Sequence, residues 1–61
     1  MKFVLEVDMG DDAFGGQAAK ELGRILRYWG GNTHHYQLVP GDGCAIYDSA
    51  YREVGKWTIT A

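Results

Sequence analysis

Apolar and polar positions recur with a helical period through residues 11–31, and this stretch predicts the main helix of the chain. At about 100° per residue, one arc of the helical wheel is apolar and the other is polar. The apolar arc holds Phe14, Ala18, Ala19, Leu22, Ile25, Leu26 and Trp29, and the polar arc holds Gln17, Lys20, Glu21, Arg24, Arg27 and Tyr28. Asp11 or Asp12 is expected to cap the first N–H groups, and Gly30 with Gly31 to end the helix in a left-handed conformation.

Residues 2–8 predict a strand before this helix. Phe3, Leu5 and Val7 alternate with Lys2, Glu6 and Asp8, which is the period of a strand with one buried face. Val4 is apolar on the outer face of this strand. A lone exposed valine is ordinary, but the position also suits an edge or a contact with a partner.

Three further strand segments follow the predicted helix. Residues 33–39 favour a strand with His34, Tyr36 and Leu38 on one face, and the alternative is a loop that leads into the final hairpin. Pro40, Gly41 and Gly43 require a turn after it. Residues 44–48 and 53–60 predict two antiparallel strands, joined by a hairpin connection at residues 49–52.

These elements predict an α+β fold in a single domain spanning residues 1–61. One amphipathic helix is expected to pack on a three- to four-stranded, mainly antiparallel sheet, in the order β-α-β-β-β. The first strand is a neighbour either of the second strand, through a right-handed connection, or of the last one. The predicted core is Phe3, Leu5, Val7, Ala18, Leu22, Ile25, Leu26, Trp29, Ile46, Trp57 and Ile59.

The chain of 61 residues is short for an independently stable domain. A domain of this size buries only about 60% of the surface that its unfolded chain exposes. Cys44 is the single cysteine, which excludes a disulfide within one chain, so we expect association into a homodimer. The net charge of −2 is too small to indicate a nucleic-acid binder or a membrane-surface protein. With no apolar run near the roughly 20 residues of a membrane span, we expect a soluble, cytoplasmic protein.

The C-terminal third carries a resemblance. Ile46-Tyr47-Asp48-Ser49, followed by Val54-Gly55-Lys56-Trp57-Thr58-Ile59, resembles the ending of many small uncharacterised proteins of tailed phages and prophages, in which an Asn-Gly-Asn hairpin precedes Val-Gly-x-Trp or Val-Gly-x-Phe. The helix segment Glu21-Leu22-Gly23-Arg24-Ile25-Leu26-Arg27 is also similar to theirs. Here Ala50-Tyr51-Arg52 replaces the Asn-Gly pair, which predicts a longer loop. The resemblance implies a phage or mobile-element origin, and small phage proteins, including anti-CRISPR proteins, often bind and block a host protein.

Candidate catalytic and metal-binding residues are few. His34 and His35 would point to opposite faces of a strand, so they do not form a metal site together, and a surface role is favoured. Cys44 has no histidine that the sequence orients beside it, and a partly buried thiol is the favoured interpretation. We therefore expect no cofactor, no metal and no enzymatic activity. The acidic end of the chain consists of Glu6, Asp8, Asp11 and Asp12, which are expected to cap the helix or to be solvated. The alternatives are a Mg²⁺ site and imitation of nucleic-acid phosphates toward a basic partner.

The residues that suit a binding surface are basic and aromatic. Lys20, Arg24 and Arg27 form a stripe on the polar arc beside Tyr28. Tyr36, Tyr47 and Tyr51 complete the predicted protein-binding set, since so small a domain cannot bury every tyrosine. We expect a non-enzymatic protein-binding module that inhibits a host protein such as a defence nuclease. The alternative is a nucleic-acid-binding accessory protein that uses Lys20, Arg24, Arg27 and Arg52 with the tyrosines.

Overall fold

A three-stranded antiparallel sheet carries one helix in the computed structural model, which describes residues 1–10 and 12–61. The elements are β1 (Lys2–Val7), α1 (Ala18–Asn32), β2 (Gly43–Tyr47) and β3 (Glu53–Thr60), with 3₁₀ turns at Asp12–Phe14 and Thr33–His35. The α+β class is confirmed. The strand order is β1-β3-β2, so the last strand in sequence is the central one and pairs with the first. Among the described residues, no helix is long and apolar enough to cross a membrane.

Trp57, at the middle of β3, is the centre of the core. It lies opposite Leu5 on β1 and Cys44 on β2. Its ring stacks on Phe3 at 5.4 Å and meets Trp29 and Tyr36 edge-on at 5.5 and 5.0 Å. Aromatic pairs at these separations add to the free energy gained from burial. The buried apolar residues around it are Phe14, Ile25, Trp29, Ile46, Val54 and Ile59.

Two residues predicted for the core are exposed. Leu26 is 48% exposed and Phe3 is 47% exposed, although Phe3 still covers Trp57 with one ring face. Because the sheet has only three strands, it is too narrow to cover the whole apolar face of the helix that the sequence predicts. Phe14 and Val54, which the predicted core omitted, are buried instead. The remaining predicted residues belong to the core. Five of them are buried and four are partly buried: Ile25, Trp29, Ile46, Trp57 and Ile59, and Leu5, Val7, Ala18 and Leu22.

The predicted strand at residues 33–39 does not exist, and the loop alternative is correct. The helix continues through Gly30 and Gly31 to Asn32, so the predicted left-handed stop is also wrong. It passes directly into the 3₁₀ turn Thr33–His35, where the two histidine rings lie 4.0 Å apart and not on opposite faces of a strand. The chain then turns at Leu38, whose φ is 58°, and Asp42 accepts its N–H at 2.9 Å.

The helix begins later than the sequence pattern predicted. Gly16 has a φ of 74°, which separates the 3₁₀ turn Asp12–Phe14 from the helix. Asp12 therefore does not cap α1. Gln17 is the N-cap residue, without a side-chain capping bond to any described residue. The prediction for Asp11 lies outside the described residues.

β1 closely approaches β3 at Gly55. A Cβ atom at Gly55 would collide with the carbonyl group of Glu6. The β2–β3 register shifts at the same place, since Ile46 lies opposite Gly55 while Tyr47 lies opposite Glu53. Val54 is therefore the extra residue of a β-bulge, and its side chain enters the core. This geometry is the physical reason for Val-Gly-x-Trp in the final strand.

Candidate protein-binding groove

A groove of about 290 Å³ lies between the helix and the edge strand β2. We call it the tyrosine groove, because Tyr28, Tyr36, Tyr47 and Tyr51 line it together with Arg24. The buried residues Ile25 and Trp29 and the half-buried Cys44 also contribute to its walls. All four tyrosines of the chain, from three separate stretches of sequence, thus meet around one concavity.

Four segments position these tyrosines, and Tyr36 directly follows the 3₁₀ turn Thr33–His35. Arg24 and Tyr28 are one helical turn apart and therefore share a side of α1. Tyr47 ends β2, and Tyr51 lies in the hairpin loop that follows. Tyr28, Tyr47 and Tyr51 are 54%, 50% and 88% exposed, so at least half of the surface of each residue is free to contact another molecule.

A buried carboxylate holds one end of the groove. Glu21 accepts two hydrogen bonds from the Arg24 guanidinium, both at 3.2 Å, and one from the backbone N–H of Ser49 at 2.8 Å. The same guanidinium donates to the Tyr47 carbonyl oxygen at 3.2 Å. The predicted polar arc placed Glu21 on the solvent side, which is wrong, because the β2–β3 hairpin folds over it. These contacts join α1 to the hairpin and fix the position of Arg24.

Charge pairing shifts the pKa values of both partners. The pKa of Glu21 is below its ordinary value of 4.5, mainly because Arg24 donates hydrogen bonds to the carboxylate. Burial acts in the opposite direction, and the hydrogen bond from Ser49 lowers the pKa further. The bond to Glu21 likewise raises the pKa of Arg24. Both groups therefore stay ionised at neutral pH. The pair contributes a fixed arrangement of charge at the rim of the groove.

The loop that presents Tyr51 is built on Asp48. The buried Asp48 carboxylate accepts the N–H groups of Ala50 and Arg52, each at 2.8 Å, and its carbonyl oxygen accepts the N–H of Tyr51 at 3.0 Å. Tyr51 has a φ of 62°, the left-handed conformation that a three-residue hairpin loop requires at this point. Asp48 was not singled out from the sequence. An aspartate at the first position of a tight turn was the available signal.

The Cys44 thiol and the two histidines do not line the same site. Cys44 lines the tyrosine groove, and the described residues that line it include neither His34 nor His35. A hydrogen bond with the Cys44 side chain, followed by burial, raises the pKa of Tyr36 above its ordinary value of 10. Among residues 1–10 and 12–61, no three His, Cys, Asp or Glu side chains cluster as metal ligands would.

The basic stripe lines a second, adjoining hollow of about 280 Å³. Lys20 and Arg27 line it with Arg24, and Glu21 lines the same hollow. Arg52, the fourth basic residue of the nucleic-acid alternative, is instead in the hairpin loop, where it pairs with Asp48 at 3.5 Å. Two of the four basic side chains are therefore already engaged with carboxylates.

The predicted acidic end is of mixed charge in the structure. Glu6 and Asp8 adjoin a hollow that Lys56 also lines, and Asp8 and Arg52 line a neighbouring hollow, with Glu53 at both. Asp8 accepts the N–H of Gly10 at 2.9 Å, which orders the turn after β1. Asp12 is exposed in its 3₁₀ turn, and Asp11 lies outside the described residues. Basic side chains thus interrupt the negative surface.

The comparisons with protein-family models, characterised proteins and solved structures give no match to this chain. The chemistry of the site therefore rests on its own geometry. Of the predicted protein-binding residues, Arg24, Tyr28, Tyr36, Tyr47 and Tyr51 line the tyrosine groove, while Lys20 and Arg27 line the adjoining hollow. Together they form one continuous surface, because Arg24 belongs to both hollows.

Proposed function

We propose that this protein is a non-enzymatic protein-binding module that contacts its partner through the tyrosine groove. The observation that carries the proposal is the convergence of Tyr28, Tyr36, Tyr47 and Tyr51 with Arg24 around one concavity. Tyrosine and arginine are the residue types, with tryptophan, that dominate the binding energy at protein interfaces.

The groove is prepared for binding before a partner arrives. Arg24 is held by Glu21 and by the Tyr47 carbonyl oxygen, so its side chain loses little freedom when a partner docks. Tyrosine rings have two rotatable side-chain angles and supply large contact areas at a low entropic cost. The edge of Tyr28 also packs against Trp29, with ring centroids 5.2 Å apart, which restrains the exposed ring.

The proposed biological action is inhibition of the partner by occupation of one of its surfaces. A module of 61 residues that holds a partner's surface in its groove acts by covering that surface. The resemblance of the C-terminal hairpin to small phage proteins supports a phage or mobile-element origin and a host protein, such as a defence nuclease, as the partner. The place of action is then the cytoplasm of the bacterial host.

Affinity capture with matched variants tests the proposal. The immobilised wild-type chain is expected to retain a stoichiometric protein from a bacterial lysate, and Tyr28→Ala and Tyr47→Ala are each expected to weaken that retention at least tenfold. Val39→Ala is the control, because Val39 is comparably exposed and lies outside the tyrosine groove. No stoichiometric partner, or a partner that both tyrosine variants retain in full, would overturn the proposal.

A salt titration distinguishes a protein partner from nucleic acid. Binding to single- or double-stranded DNA that falls steeply with salt, and that Lys20→Ala and Arg27→Ala weaken, would instead assign the surface to phosphate contacts. With Arg24 and Arg52 engaged by carboxylates, we expect no DNA binding at physiological salt. Measurable specific binding there would contradict the protein-binding proposal.

A further inference from the structure

β1 forms the edge of the sheet opposite the tyrosine groove, and its backbone has groups that point outward. Asp8 donates its N–H to Val54 at 2.6 Å, in the same register that pairs Glu6 with Lys56 and Val4 with Thr58. Hydrogen-bonded pairs alternate along an antiparallel ladder. The backbone N–H and C=O groups of Phe3, Leu5 and Val7 therefore point away from β3.

The middle of this edge has little protection against pairing, since its charged residues, Lys2 and Glu6, lie on either side of Val4. No other described strand pairs with β1, and the sequence of β1 contains no proline. Phe3 and Val4 are 47% and 38% exposed, on the two faces of the strand. An exposed edge strand with apolar side chains is a template for another strand. A domain of this size also gains stability from association.

We propose that β1 pairs antiparallel with β1 of a second copy, around a two-fold axis at Val4. In this register Phe3 exchanges backbone hydrogen bonds with Leu5 of the partner subunit, and Leu5 does so with Phe3 of the partner subunit. Val4 lies against Val4 of the partner subunit. Lys2 lies opposite Glu6 of the partner subunit, and the symmetry repeats that pair.

The directions of the backbone hydrogen-bonding groups and the charges of Lys2 and Glu6 together select this register. The outward backbone groups of the two strands must face each other, so the strands shift relative to one another only in steps of two residues. A shift of two residues in one direction places Val4 opposite Lys2, and in the other direction opposite Glu6. Only the register centred on Val4 pairs every Lys2 with a Glu6 and keeps the apolar side chains together.

The dimer extends the sheet without covering the tyrosine groove. Its strand order is β2-β3-β1 continued by β1-β3-β2 of the second copy, so β2 lies at both ends. Two grooves are then presented by one particle, and a partner with two binding sites is held more tightly by avidity. The dimer proposal does not depend on the function proposed for the groove.

Light scattering with two lysine variants tests the interface. The wild-type chain, with any tag placed after Ala61, is expected to have twice the 6.8 kDa mass of one chain. Val4→Lys places like charges at the axis and is expected to give the monomer mass. Ala50→Lys adds the same charge at an exposed position of the hairpin loop that does not line the tyrosine groove, and it is expected to remain a dimer. A monomeric wild type, a Val4→Lys variant that remains a dimer, or equal dissociation of both variants would overturn the proposal.

A charge exchange tests the register itself. Lys2→Glu and Glu6→Lys each place two pairs of like charges across the interface, and each is expected to weaken the homodimer about tenfold. An equimolar mixture of the two variants restores both opposite-charge pairs and is expected to form a dimer as tight as wild type. Circular dichroism checks that each variant is folded. Failure of the mixture to associate more tightly than either variant alone would refute this register.

Discussion

The Glu21 carboxylate accepts the backbone N–H of Ser49 at 2.8 Å, across 28 residues of sequence. This bond joins the first half of α1 to the loop after β2. The same carboxylate orients Arg24, which in turn donates to the Tyr47 carbonyl oxygen. The shape of the tyrosine groove thus depends on a polar contact between elements that are neighbours only in the folded chain.

Removal of this carboxylate is expected to loosen the hairpin. Glu21→Ala leaves the Ser49 N–H and the Arg24 guanidinium without their shared acceptor, and we expect the melting temperature to fall by about 5–10 °C. Lys20→Ala is the control, since Lys20 is its exposed neighbour on the helix. The measurement is thermal unfolding followed by circular dichroism. Equal melting temperatures for the two variants would show that the contact contributes nothing.

The stability of the fold is expected to depend on acid pH through Glu21. Its pKa is lowered in the folded state, mainly by Arg24, so its contribution is present above the unfolded value of 4.5. That contribution is lost as the pH falls from 4.5 through the folded pKa. Urea unfolding between pH 7 and pH 2 is expected to show a smaller loss of stability for Glu21→Gln than for wild type. Parallel curves for the two proteins would contradict the assignment.

Two glycine substitutions are expected to act in opposite directions. Gly55→Ala brings a Cβ atom into the Glu6 carbonyl group, and the forced separation of β1 from β3 is expected to cost about 1–3 kcal/mol or to unfold the chain. Gly30→Ala introduces, inside the helix, a methyl group that meets no described atom within 4 Å other than its chain neighbours and the nearby helix backbone. It is expected to stabilise the protein by up to about 1 kcal/mol. Chemical unfolding measures both, and a tolerated Gly55→Ala would disprove the close approach.

The backbone conformation of Tyr51 is expected to lower the stability of the fold, while its exposed ring provides area for contact with a partner. Its left-handed backbone favours glycine, so Tyr51→Gly is expected to stabilise the fold by about 0.5–1 kcal/mol, since the exposed ring contributes little packing. Tyr51→Ala removes the same ring while keeping the strained backbone, and is expected to show no gain. Under the proposed function both variants bind the partner more weakly. A destabilised Tyr51→Gly would show that the ring supports the fold.

Tyr36 is expected to ionise at a higher pH than a free tyrosine. The Cys44 side chain and burial raise its pKa above 10. This favours the neutral phenol in the folded state, so its contribution to stability is present below pH 10 and is lost as the pH rises through the folded pKa. Phenolate absorbance of wild type and Tyr36→Phe isolates this titration. Cys44→Ala is expected to move it back toward 10, and an unchanged titration would exclude the contact.

Local patterns in the sequence were sufficient for the helix and the hairpin. The spacing of Ile25 and Trp29 determines which face of α1 is buried, because 3.6 residues per turn place them together whatever the helix packs against. Period-two alternation likewise places Trp57 and Ile59 on one face of β3. The spacing of Arg24 and Tyr28 also identified one side of the groove. These features depend on residues within a few positions of each other.

The sequence by itself thus determined the helix, the first strand, the final hairpin and the class of fold, and it singled out the arginine and the tyrosines that line the tyrosine groove. Only the tertiary structure decided the central place of β3, the burial of Glu21 and the meeting of Tyr36, Tyr47 and Tyr51 around one concavity. The reason is physical: backbone periodicity is a property of neighbouring residues, whereas strand order and the solvent exposure of a carboxylate depend on which distant segment covers it. The Ser49 loop covers Glu21, and no pattern within α1 encodes that contact.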